Sequence, residues 1–171
     1  MGGAKSANRL KQGTRLASVS LPATDGSDVD LARVPGRSLV IVYPWTGRPG
    51  QPNPSGCDDI HGAHGSTPEL EGFRDHHPEF KRRGISLFGL SRQTTDYQRE
   101  LVARLALPFS ILSDEAGRFA AALRLPSFTA GDEIYLTRLT FIVSSGRIER
   151  VFYPVPHPAG HAAAVLLALG S

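Results

Sequence analysis

Ser38-Leu39-Val40-Ile41-Val42-Tyr43 runs directly into Pro44-Trp45-Thr46-Gly47-Arg48-Pro49-Gly50, and the next regular pattern starts only at Ser66-Thr67-Pro68-Glu69. The first string is short, β-branched and apolar without alternation, as strands buried on both faces are. The last string puts a proline and an acid into the opening turn of a helix. A missing N–H costs little there, and negative charge meets the positive end of the helix dipole. Between them, residues 44–66 are rich in proline and glycine and carry no period. Loops of that length inside a compact domain are usually functional, and the carboxyl end of a buried strand is where α/β proteins place their chemistry.

Working outward, apolar runs at 85–90, 139–143 and 148–153 predict further strands. Residues 19–21 and 29–31 flank an Asp25-Gly26 turn and predict an N-terminal hairpin. A single helix is expected over 67–82, with Leu70, Phe73, His77 and Phe80 forming its apolar stripe. Further helices are expected at 95–106, 118–123 and 160–169. Helices alternating with buried strands, followed by a β-meander, predict an α/β sandwich: a mixed central sheet, helices on both faces, and the hairpin at the N-terminus.

A chain of 171 residues fits one domain. The formal charge is +3, yet residues 1–16 carry four bases and no acid, so the remaining chain is slightly acidic. The expectation is a flexible basic arm over 1–12 and a folded domain over 13–171. A basic excess confined to such an arm is not a nucleic-acid-binding face. No apolar run reaches the length of a membrane span and no signal-peptide pattern is present, so a cytoplasmic protein with no membrane partner is expected. The chain holds one cysteine, Cys57. One thiol makes no internal disulfide and no cysteine-based zinc site.

Four strings carry a resemblance. Gly65-Ser66-Thr67-Pro68-Glu69-Leu70-Glu71-Gly72-Phe73-Arg74-Asp75 resembles the Gly-Cys-Thr-x-x-x-Cys-x-Phe-Arg-Asp helix start of peroxiredoxins of the bacterioferritin-comigratory type. Leu112-Ser113-Asp114 after Pro108-Phe109, and Arg138-Leu139-Thr140-Phe141-Ile142, resemble the same superfamily, that of alkyl hydroperoxide reductase and thiol-specific antioxidant. Residues 43–50 are similar to a subgroup with an extended active-site loop. The resemblance implies a thioredoxin-like fold and a cofactor-free thiol peroxidase, expected to form a homodimer. In such an enzyme a cysteine at the helix N-terminus is held as thiolate by the helix dipole, backbone N–H groups and an arginine. It attacks a hydroperoxide, and a second thiol resolves the sulfenic acid. By motif the arginine is Arg138 and the strand-end proline is Pro44. Trp45, Thr46, Thr67 and Glu71 are the expected pocket walls. The implied partners are a small hydroperoxide or other small polar ligand and a thiol reductant.

The pattern breaks where the chemistry sits. Ser66 occupies the peroxidatic cysteine position and Glu71 the resolving one. A serine hydroxyl is far less acidic than a thiol, whose ordinary pKa is about 8.5, and a helix dipole contributing about 1–2 kcal/mol does not ionise it at neutral pH. Peroxidase turnover at Ser66 is therefore not expected. Three readings stand open. Ser66 is a substituted peroxidatic cysteine; or the scaffold is repurposed, as an enzyme of cysteine-independent small-molecule chemistry or as a binding protein; or Cys57 has taken over the role. Asp58 and Asp59 beside Cys57 would raise its pKa rather than lower it, which favours an inert thiol.

The remaining candidates are weaker. Asp58, Asp59, His61, His64, Glu71, His76 and His77 crowd into twenty residues, but an irregular loop fixes no ligand geometry, and no metal is expected. Glu71 would neutralise Arg138 if it faced the pocket. Trp45, Phe88, Phe128 and Tyr135 read as core or pocket wall.

Overall fold

A computed structural model describes residues 10–53 and 64–170. Cys57, Asp58, Asp59 and His61 lie outside the described residues, as does most of the basic arm.

A five-stranded sheet forms the frame, in spatial order β5-β4-β3-β8-β9. The central strand is β3 (Arg37–Val42). It pairs in parallel with β4 (Ile85–Ser91), which pairs in parallel with β5 (Ser110–Ser113). On its other side β3 pairs antiparallel with β8 (Leu139–Ser144), and β9 (Arg147–Phe152) closes the sheet. The sheet is mixed, as its sequence predicts. β1 (Ser20–Pro22) and β2 (Asp28–Asp30) form the expected hairpin.

Side-chain alternation along β3 divides the core in two. Val40 and Val42 join Leu90, Leu112, Phe141 and Val143 on one face. That face is covered by α4 (Arg118–Leu123), through Phe119 and Leu123, and by the N-terminal segment. Leu39 and Ile41 join Leu87, Ile111 and Ile142 on the other. There they pack on α1 (Ser66–Asp75), α2 (His77–Arg82), α3 (Thr95–Leu105) and α5 (His161–Leu169). Gly89 lies between these elements because a Cβ there would stand 3.1 Å from Ile111 Cγ1.

Three expectations change. The helix expected over 67–82 is two helices, because Pro78 sits in the first turn of α2, and a proline fits there but not in a helix interior. His76 and His77 therefore lie at the junction rather than two turns into one helix. A further hairpin, β6 (Ser127–Ala130) with β7 (Glu133–Leu136), turns at Gly131, which has φ +60°. Finally, attachment to the body begins before Gly13. Leu10 is buried in the core, the Gly13 N–H donates to the Ile148 carbonyl at 2.7 Å, and Arg15 bridges Arg147.

Candidate active site

β3 ends where β8 begins, with Val42 opposite Leu139. The next residues outward are Tyr43 and Pro44 on one strand and Arg138 on the other, so antiparallel register alone brings the arginine to the mouth of the loop. Gly65, at φ +105°, turns the chain into α1. That conformation favours glycine, and a Cβ there would also meet Pro158 at 3.0 Å.

The buried residues of α1 are Ser66, Glu69, Leu70 and Phe73, an i, i+3, i+4, i+7 stripe. Ser66 at the helix N-terminus and Glu69 one turn on therefore share the face turned toward Arg138. One Arg138 nitrogen, Nη1, donates both to Ser66 Oγ at 3.1 Å and to Glu69 Oε1 at 3.0 Å. Its Nη2 donates to the His64 carbonyl at 2.9 Å. Arg138 and Glu69 are both buried, so the pair is desolvated and its geometry is tightly specified. Burial pushes the Glu69 carboxyl up to about 7, against the lowering influence of Arg138. Burial likewise raises the Tyr43 phenol above its ordinary range, so Tyr43 stays a neutral O–H. His161 lies beneath the site, 2.9 Å from Thr140 Oγ1 and edge-on to Phe73. Burial lowers its pKa to about 4, with the nearby Arg138 charge contributing.

Ser66 and Arg138 thus meet as the sequence predicts. Trp45, Thr46 and Thr67 line a small cavity of about 150 Å³ in front of Ser66. Pro44 lies next to it, lining a larger cavity that also includes Trp45 and Thr46. Glu71 is the exception. It sits half-buried off the stripe, 3.8 Å from Arg74, and the acid that reaches Arg138 is Glu69. The missed signal was helical spacing: position 69 lies about one turn from 66, and position 71 lies well round the cylinder.

Two more contributors were not legible as functional residues. Thr46 is held by Gln93, whose Oε1 accepts from the Thr46 N–H at 3.2 Å. The Tyr97 O–H donates to the Thr46 carbonyl at 2.7 Å. The His64 ring packs edge-on against Trp45, with centroids 5.4 Å apart.

A central β3 and its parallel partner β4, an antiparallel β8, and a helix starting over the end of β3 define the thioredoxin-like fold in its peroxiredoxin form. The chain belongs to the redoxin family, whose description matches residues 11–166. It is 29% identical to peroxiredoxin Bcp of Escherichia coli (strain K12) over 150 residues, covering 85% of this chain and 86% of that one. It is 24% identical to chloroplastic peroxiredoxin Q of Suaeda salsa over 146 residues, covering 85% of this chain and 60% of that one. Among solved structures it superposes on a cysteine-to-serine mutant of Xylella fastidiosa PrxQ with TM-score 0.76 and 20% identity, covering 95% and 97% of the two chains. The peroxidoxin BcpB of Mycobacterium tuberculosis gives TM-score 0.70 at 24% identity, covering 95% of this chain and all of that one.

Proposed function

We propose that this chain is a peroxiredoxin homologue that keeps a small polar pocket of the hydroperoxide-binding type but does not reduce hydroperoxides at Ser66. The observation that carries the reading is the Ser66 hydroxyl at the start of α1, 3.1 Å from Arg138 Nη1, in the position where the family chemistry calls for a thiolate. Arg138 and the N-terminus of α1, both of which would stabilise an anion, meet at that oxygen. The oxygen itself stays protonated at neutral pH and is a poor nucleophile toward a peroxide bond. What the site does readily is bind: Ser66 and Thr67 offer hydroxyls at the mouth of a confined cavity. In this reading the chain acts on a small molecule without cycling through a thiol reductant. It works in the cytoplasm as a homodimer.

Ser66→Cys is the decisive variant. Under this reading it acquires hydroperoxide consumption in the presence of a small dithiol, at least about a hundredfold above the parent chain, because Arg138 and the helix N-terminus are already placed to stabilise the thiolate. Substantial thiol-dependent consumption by the unaltered chain would overturn the proposal, since Cys57 would then be the nucleophile. A folded Ser66→Cys protein without turnover would show that the pocket no longer suits a hydroperoxide.

A further inference from the structure

A second cavity, of about 570 Å³, lies on the far side of the Trp45–Gly47 segment from Ser66. Its volume falls within the range of small-molecule sites. It opens beyond the carboxyl ends of β3, β4 and β5, the edge of an open α/β sheet at which ligands collect.

Its walls are aromatic. Trp45, Tyr97 and Tyr135 all line it, and Trp45 and Tyr135 are themselves in contact, with centroids 5.7 Å apart. Ile134, on the same rim, is 49% exposed, one of two large hydrophobic side chains left exposed among the described residues. Two carboxylates complete the rim, Glu115 and Glu133, and neither side chain has an ion-pair or hydrogen-bond partner among the described residues. The one cation lining the cavity, Arg92, lies over the turn at Gly117 and donates to the Glu115 carbonyl at 3.2 Å. Among the described residues it makes no contact with either acid side chain. The lining is therefore net negative.

The Tyr97 ring is already covered by the Arg48 guanidinium, 3.9 Å from its centroid and paired with Glu100 at 3.4 Å, so Trp45, Tyr135 and Ile134 are the apolar surfaces left to a ligand. Aromatic faces combined with unpaired carboxylates favour an organic cation over an anion or a neutral ring. We infer that this cavity binds a small aromatic molecule bearing an ammonium group, its ring against Tyr135 and Ile134 and its charge toward Glu115 and Glu133. The site uses neither Ser66 nor Arg138, so it stands whatever chemistry occurs at Ser66.

Phenethylammonium, phenethyl alcohol and phenylacetate share a ring and differ in charge. Trp45 is the only tryptophan in the chain, so its emission reports occupancy of the cavity it lines. Calorimetry and Trp45 fluorescence are expected to give saturable binding of the ammonium compound, roughly tenfold weaker binding of the alcohol, and weaker binding still of the acid. The Glu115→Gln/Glu133→Gln protein should lose roughly tenfold in affinity for the ammonium compound while binding the alcohol as before. Both positions are exposed, and an unchanged thermal midpoint verifies the fold. Three results would overturn the inference: no response to phenethylammonium up to about 10 mM, equal binding of the three probes, or an unaltered ammonium affinity in the folded double variant.

Discussion

Arg138 sits where three demands converge: a hydroxyl, a carboxylate and a backbone carbonyl, each accepting from the same guanidinium. Only a planar fork meets all three from one position, so lysine is not an equivalent replacement. In the Ser66→Cys background, Arg138→Lys keeps a counter-charge for Glu69 but loses the fork. Its peroxide rate constant should fall by on the order of a hundredfold in stopped-flow assays, with a smaller change in thermal stability. His161 makes a prediction about pH. Its folded pKa lies near 4, below the ordinary 6.5, so the folded state binds fewer protons than the unfolded chain between those values. Its contribution is complete above about pH 6.5 and is lost as pH falls through 4, on the order of 3 kcal/mol in all. Glu69 works in the opposite direction: with its pKa raised to about 7, its contribution is complete below about pH 4.5 and is lost as pH rises through 7. His161→Gln keeps a polar partner for Thr140 and removes the titration. Urea denaturation from pH 7 to pH 4 should therefore show a steeper acid loss in the parent than in the variant.

Among the elements, α3 is the one that shapes both cavities. Thr94 caps it, accepting from the Tyr97 N–H, and its outward side chains then reach back to the loop. Tyr97 holds the Thr46 carbonyl, Arg104 Nη2 donates to the Gly47 carbonyl at 3.0 Å, and Glu100 pairs with Arg48 at 3.4 Å. An irregular segment gains a defined path from a helix that is rigid for other reasons, through Leu101 and Leu105 in the core. Tyr97→Phe removes one of these tethers. It should cost about 1 kcal/mol in denaturant unfolding, with faster amide exchange confined to residues 46–48. The α1–α2 break and the β6–β7 hairpin were readable in principle, from Pro78 and from Gly131-Asp132. Both were obscured by apolar spacing that continues across the break and by strands too short to show a period.

For the molecule as a whole, the sheet separates two hydrophobic layers that share no side chain but depend on the same strands. Ile41 is fully buried in one layer and its neighbours Val40 and Val42 in the other. Ile41→Ala should therefore destabilise the entire domain by about 2–5 kcal/mol in a single cooperative transition, rather than loosening one side. Two transitions in calorimetry would contradict that view of the fold.

Most strands and helices, the mixed sheet and the family resemblance follow from the amino-acid sequence, because they depend on local pattern: buried β-branched runs, a proline and an acid at a helix start, a motif that resembles a known one except at Ser66 and Glu71. The meeting of Ser66 with Arg138 was expected from that motif, and register at the end of β3 and start of β8 is the reason it occurs. Which glutamate joins them was decided only by tertiary structure. Glu69 and Glu71 are alike in composition and close in sequence, and only the rotation of α1 against the sheet buries one beside the arginine and leaves the other half-exposed next to Arg74. The aromatic cavity likewise has no linear signature, since its walls come from the loop after β3, the start of α3 and the β6–β7 hairpin. Such a site exists only once long-range packing has brought those segments to the same edge of the sheet.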